Sequence, residues 1–319
     1  MLRILRISSR ISIRVVGFAL VALAASSSGG CGGGGGGGAG STQITGSIGC
    51  DDGGGTSPGT TSSGIAAGTA TSKSLTVNGQ NRTYVLYTPS TYDGKTPFPV
   101  ILAFHGDGGD GASLRAWFNL EPTVAEQAII VYPDGINGTW DIDDIAGLTN
   151  DVAFVDAILA DLNSNMCIAQ QRLYATGISR GAYFTNQMVC RSKNTWRAIV
   201  THAGGGPYSA IDADEYDSKG NLKCTNQPLA ALQVHGDADD GVAVSEGMKS
   251  RSFWCDVNGC QGCTSEWKAS PDPTQPVSPS PCMTYAGCSK PEVWCEIPGL
   301  GHTFWDQAPQ VTWGFFSQN

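Results

Sequence analysis

"LYATGISRGAYF", residues 173–184, sets a single serine, Ser179, between two glycines directly after a short apolar run. Gly177-Ile178-Ser179-Arg180-Gly181 fits G-x-S-x-G in the setting that gives the pattern meaning. A strand-like run precedes it, and a helix-like run through Met188 and Val189 follows. Only glycine tolerates the close backbone approach on either side of so sharp a strand-to-helix turn. The turn lifts the hydroxyl above the end of the strand and aims the first helix amides at it, so charge on a reacting oxygen can be stabilised there. Arg180, a full-sized cation beside the candidate nucleophile, calls for an explanation of its own.

Outward from this unit the same rhythm recurs. "FPVILAFHG" (98–106), "AIIVYPDG" (128–135), "RLYATG" (172–177), "RAIVTHAG" (197–204), "LAALQVHG" (229–236) and "EVWCEIPG" (292–299) are apolar runs that each end in glycine. Helical patterns lie between them. In residues 151–162, Val152, Val155, Ile158, Leu159 and Leu162 keep the spacing of one buried face. Strands buried on both faces and alternating with helices imply a parallel α/β sheet with helices on both sides. The sheet is entered through an antiparallel hairpin, because "SLTVNGQNRTYVLYTP" alternates around Asn78-Gly79. Residues 255–295 break the rhythm with six cysteines and "SPDPTQPVSPSPC", which predicts a disulfide-stapled surface insertion before the last strand.

The first 30 residues carry Arg3, Arg6, Arg10 and Arg14 with no acid, then the apolar run Val15 to Ala25, too short to span a bilayer. They read as an export signal. Ser28-Gly29-Gly30-Cys31 is similar to a bacterial lipobox, with Cys31 the candidate for lipidation and anchoring in a membrane. Cleavage near Ala22-Leu23-Ala24, giving a freely secreted protein, is the alternative. Residues 31–72, rich in Gly, Ser and Thr, bury too little apolar surface to fold and are expected to form a tether of roughly 35 Å, with the catalytic domain at 73–319.

Without the four arginines of the signal, 15 basic side chains face 28 acidic ones, a balance of −13. Nucleic acid is excluded as a partner on that ground, and neutral substrates are favoured over polyanions. Besides Cys31 there are ten cysteines, an even number in an exported chain, so structural disulfides are expected. Cys260-Gln261-Gly262-Cys263 lacks the second pair or nearby histidine of a zinc site, and no metal or other cofactor is expected.

A serine nucleophile needs a base, and the chain has four histidines. His105 and His235 sit in "HG" at strand ends, where a loop-shaping role is expected. His202 comes too early for the order Ser, acid, His. His302, in the glycine-rich "IPGLGHTFWDQ" after the last strand, remains. The acid that orients it should follow the second-last strand, where "VHGDADDGV" offers Asp237, Asp239 and Asp240, and Asp239 is taken as the partner.

Together "FHGDGG", "YPDG", "GISRGAYF", "VHGDADD" and "GLGHTFW" resemble the secreted esterases of carbohydrate esterase family one, which include feruloyl esterases and poly(3-hydroxybutyrate) depolymerase-like enzymes. The similarity covers about residues 73–319. It implies a single α/β-hydrolase domain cleaving plant cell-wall or polyester ester bonds without a metal, with Ser179, Asp239 and His302 as triad. By motif position it also implies Asp107 and Arg180 as donors of the two oxyanion amides and Trp140 as a lining of the acyl pocket. Two positions depart from the family: Ala182 replaces a usual second glycine after the turn, and Asp107 puts a carboxylate where none is usual.

The expected activity is hydrolysis of feruloyl or acetyl esters through an acyl-enzyme, with polyester depolymerisation as the alternative. A non-catalytic surface binding protein or an envelope acyltransferase on the same fold is the other class; the intact Ser, Asp and His argue against the first. The opposite charges of Arg180 and Asp107 further suggest that these two side chains pair across the rim of the site.

Overall fold

The computed structural model describes residues 47, 49–50, 67–207, 222–224, 228–261, 275–276 and 278–319. Cys31, the signal and most of the expected tether lie outside the described residues. β1 (Thr69–Val77) and β2 (Gln80–Thr88) form the expected hairpin, turning through Asn78 and Gly79 at φ 50° and 78°. The six glycine-terminated runs become β3 (Phe98–Phe104), β4 (Ile129–Pro133), β5 (Ile168–Ile178), β6 (Ala198–His202), β7 (Ala230–Gly236) and β10 (Glu292–Ile297). With the hairpin, β8 (Gln275–Pro276) and β9 (Cys282–Thr284) they form, among the described residues, one ten-stranded sheet, ordered β1-β2-β4-β3-β5-β6-β7-β10-β9-β8. Pairing is parallel from β4 through β10 and antiparallel at both ends. This is the α/β-hydrolase arrangement expected from the sequence.

The alternation of a strand sends its side chains into two cores. In β3, Val100, Leu102 and Phe104 enter one cluster while Ile101 and Ala103 enter the other. The first cluster is covered by α3 (Ile145–Asn165), α4 (Arg180–Arg191) and α5 (Val244–Val257), through residues such as Val155, Phe184 and Trp254. The second is covered by α1 (Gly111–Phe118), α2 (Glu121–Val124) and α6 (Ala308–Gln318), through Leu114, Val124 and Phe316.

Two expectations are corrected here. The globular unit begins before residue 73: β1 starts at Thr69, and Cys50 is disulfide-bonded to Cys167 while buried Ser47 accepts a hydrogen bond from the Ile168 amide. A 117-residue separation between two cysteines leaves no local trace, so composition alone placed this segment in the tether. The cysteine-rich stretch is not wholly a surface insertion either. Its first residues finish α5, and β9 extends the sheet beside β10, tied to it by Cys282–Cys295. Cys190–Cys224 and Cys260–Cys288 are also bonded.

Candidate active site

The turn after β5 holds Ser179 at φ 56° and ψ −126°, outside the conformations an L-residue ordinarily adopts. Close packing enforces it. A Cβ on Gly177 would lie 2.3 Å from the Gly181 carbonyl oxygen, and one on Gly181 2.3 Å from that of Phe104. Ala182, the departure from the family pattern, fits because Gly204 stands opposite: a Cβ there would come within 2.4 Å of the Ala182 methyl.

His302 Nε2 lies 2.9 Å from Ser179 Oγ, and His302 Nδ1 lies 2.9 and 3.0 Å from the two carboxylate oxygens of Asp239. An ionised carboxylate only accepts, so Nδ1 carries the proton and Nε2 faces the serine as acceptor. The Asp239 side chain is fully buried. Burial pushes its carboxyl up, but the Val242 amide, His302 and the Gly241 amide outweigh burial and hold it below the usual carboxylate range. Those amides donate to Oδ1 at 2.7 and 2.9 Å. Asp237 accepts instead from the Gly299 amide at 2.6 Å, linking the loops after β7 and β10, and Asp240 is exposed.

The other three histidines are structural, as expected for two of them. His105 donates from Nδ1 to the Gly106 carbonyl at 2.7 Å and accepts the Gly135 amide at Nε2 at 2.9 Å, which ties the loop after β3 to the loop after β4. His235 Nε2 donates to the Val242 carbonyl at 2.9 Å and supports the Asp239 loop. His202 is buried between Phe118 and Phe304 and meets Thr312 Oγ1 at 3.1 Å; burial lowers its pKa to about 3.

The loop from Gly106 passes close to the nucleophile, since a Cβ on Gly106 would be 3.3 Å from Ser179 Cβ. Among the described residues the backbone amides of Asp107 and Arg180 donate to no protein acceptor. The loop is fixed from outside: the Gly108 amide donates to the Gly138 carbonyl at 2.8 Å, and Thr139 Oγ1 donates to the Asp107 carboxylate at 2.5 Å.

Two side chains depart from expectation. Arg180 does not pair with Asp107. Its Nε donates to the Trp140 carbonyl at 2.7 Å and its Nη2 to the Asp143 carboxylate, while Asp107 is engaged by Thr139. Trp140 does not line an open pocket. It has no exposed surface, stacks on Phe184 with centroids 4.7 Å apart, and donates its indole N–H to the His105 carbonyl at 3.0 Å. A large aromatic in a short loop reads the same in sequence whether it faces the ligand or the core, and here Phe104 and Phe184 supply the aromatic neighbours that draw it in.

Sequence reasoning missed the support beneath this loop. Arg82 and Asp151 form a buried ion pair at 2.8 Å, and the free Asp151 oxygen accepts the Asp141 amide at 2.8 Å, so β2 and α3 brace the stretch that carries Asp143.

No family model matches the chain. It is 30% identical over 254 residues to a probable feruloyl esterase C of Aspergillus niger and 31% identical over 257 residues to feruloyl esterase C of Emericella nidulans, each alignment covering 75% of this chain and 84% of the relative. Feruloyl esterase D of Neurospora crassa is 28% identical over 268 residues, covering 76% of this chain and 83% of its own. Among solved structures, the acetyl xylan esterase from Aspergillus awamori superposes with a TM-score of 0.54 at 17% identity, over 77% of this chain and 99% of that one. A mutant feruloyl esterase module from Clostridium thermocellum, complexed with sinapinate, gives 0.51 at 12% identity, over 78% and 84%. These two likenesses concern the fold.

Proposed function

The chain belongs to the feruloyl esterase family and is a carboxylic ester hydrolase, and we propose that it cleaves aromatic-acyl esters of plant cell-wall polysaccharide through a serine acyl-enzyme. The observation that carries this reading is the unbroken hydrogen-bonded series Ser179, His302, Asp239, with the serine in a strained turn. Ser179 Oγ attacks the ester carbonyl carbon while His302 Nε2 takes its proton; Asp239 holds the imidazole in the required tautomer and stabilises its cationic form. The carbonyl oxygen becomes an oxyanion held by the free amides of Asp107 and Arg180. Collapse expels the sugar alcohol, protonated by His302. Water then enters by the same route, and the carboxylic acid leaves.

The side chain of Arg180 serves this scheme indirectly. By gripping the Trp140 carbonyl and Asp143 it joins the nucleophile turn to the loop that braces Asp107, so both oxyanion donors share one frame. The disulfides support an oxidising, extracytoplasmic location, to which an N-terminal export signal and a lipidated Cys31 would deliver the enzyme.

The test is one purified sample assayed on methyl ferulate, acetylated xylan and hydroxybutyrate oligomers. A kcat/KM largest on methyl ferulate is expected. A preference for the oligomers would assign a polyester depolymerase instead, and no turnover of any ester would refute the mechanism.

A further inference from the structure

A concavity lies far from Ser179. Its volume is about 1020 Å³, at the upper end of the ~300–1,000 Å³ typical of small-ligand sites, so it has room for an oligomer rather than a single small unit. Its position follows from topology. Gln170 and Gln171 lie near the start of β5, Arg197 immediately precedes β6, Pro228 lies just before β7, and Lys290 lies just before β10. Ser179, Asp239 and His302 all follow the ends of strands in the same parallel set. The two regions therefore occupy opposite edges of the sheet. Along β5 alone, eight residues at ~3.3 Å each separate Gln171 from Ser179 by roughly 26 Å.

The lining has three chemical components. Leu159, Ile168, Leu173 and Trp196, each nearly buried, make an apolar floor. Amides and hydroxyls, from Asn163, Gln170, Gln171, Thr195 and Ser289, stand around it. Lys193, Arg197 and Lys290 supply three cations against one carboxylate, that of Asp156. Asp156 is already occupied, accepting from Ser192 Oγ at 2.7 Å, from Asn194 Nδ2 at 2.9 Å and from the Lys193 amide. Arg197 donates through Nε to the Asn319 carbonyl. The ammonium groups of Lys193 and Lys290 form no ion pair among the described residues.

A positive groove on a chain whose net charge is −9 is a local reversal of sign, and it selects a local anion. The groove also receives Asn163 from the last turn of α3, the negative end of the helix dipole, which disfavours a compact dianion such as phosphate. Carboxylates spaced along a chain of otherwise neutral rings satisfy both conditions. The ring C–H faces rest on the apolar floor, the hydroxyls meet the amides, and the carboxylates meet the lysines.

We propose that this groove is a second polysaccharide-binding site, specific for a stretch bearing uronic-acid carboxylates, which holds the polymer while the distant triad works on an ester elsewhere along it. The choice of polysaccharide rests on the esterase reading above; the preference for an acidic chain rests on the groove itself. It refines the expectation from net charge, since a globally acidic surface coexists with one basic strip.

The test is calorimetric titration of the full chain with a xylo-oligosaccharide carrying one uronic acid and with its unsubstituted counterpart, neither of them an ester. The acidic oligosaccharide should bind about tenfold more tightly, and the preference should shrink as salt is raised. Lys193→Gln with Lys290→Gln should abolish that preference and leave kcat/KM on methyl ferulate within about twofold. Equal affinity for the two oligosaccharides, or a preference that survives both substitutions, would overturn the proposal. Absence of methyl ferulate hydrolysis in the wild type would instead refute the aromatic-acyl reading, with the binding measurement still interpretable by itself.

Discussion

The Arg180 guanidinium closes on the Trp140 carbonyl oxygen, 2.7 Å from its Nε, and so turns the residue after the nucleophile into a strut between two loops. Asp143, the second partner, is largely exposed, so that ion pair is worth at most about 1 kcal/mol. The Trp140 contact matters more. Arg180→Ala should lower kcat/KM by roughly tenfold with little change in KM, because the oxyanion donors lose their common frame. Asp107→Asn and Arg180→Ala should have independent effects in a double-mutant cycle, whereas a large coupling would restore a direct pairing.

Ser179→Ala should abolish ester hydrolysis and leave the fold intact. His302→Ala should be nearly as severe, and the double variant no worse than either, since the two act as one unit. Additive losses in single-turnover assays would reveal another base.

Activity should decline on the acid side with a limiting slope of one in log kcat/KM against pH. Asp239 is held below its ordinary value of 3.8, so it remains ionised through this range and contributes no second proton to the limb. A limb of slope two would implicate Asp239 as well.

His202 makes stability depend on pH. Burial depresses its pKa from 6.5 to about 3, so the unfolded chain binds a proton that the native state refuses between those values. Stability conferred by the neutral ring is complete above pH 6.5 and is lost as pH falls toward 3, at up to about 1.4 kcal/mol per unit. His202→Phe, which keeps the aromatic contacts with Phe118 and Phe304, should flatten this slope in denaturant titrations; an unchanged slope would assign it elsewhere.

Cys50–Cys167 spans 117 residues, and closing so long a loop restricts the unfolded chain by about 5 kcal/mol in the entropic account. Replacing both cysteines with serine should cost about 3–5 kcal/mol in guanidinium unfolding while leaving kcat unchanged. Loss of activity without loss of stability would be incompatible with a purely anchoring role.

Much of this architecture was legible in the chain. Apolar runs ending in glycine located β3 to β7 and β10, because buried parallel strands must be continuously apolar and must turn sharply at their ends. That Ser179, His302 and Asp239 would come together followed from chain order and from the scarcity of histidine. What stayed hidden depended on the direction of side chains across the fold. Trp140 turns inward, Arg180 reaches Trp140 rather than Asp107, and Cys50 finds Cys167, each decided by neighbours remote in sequence. β9 was hidden for a different reason: three residues in a proline- and cysteine-rich stretch carry too little periodicity to announce a strand.

β7 and β10 are immediate neighbours, and the loops that leave them are bonded to each other through Asp237 and Gly299 as well as through Asp239 and His302. The nucleophile stands two strands away from β7, on β5, and its arginine fastens to the loop after β4. The candidate site is thus built from two separable modules, one that holds the imidazole and its carboxylate and one that fixes the loops around Ser179. Substitutions in the stretch from Gly135 to Asp144 could retune substrate choice over evolutionary time while the acid–base half is inherited intact.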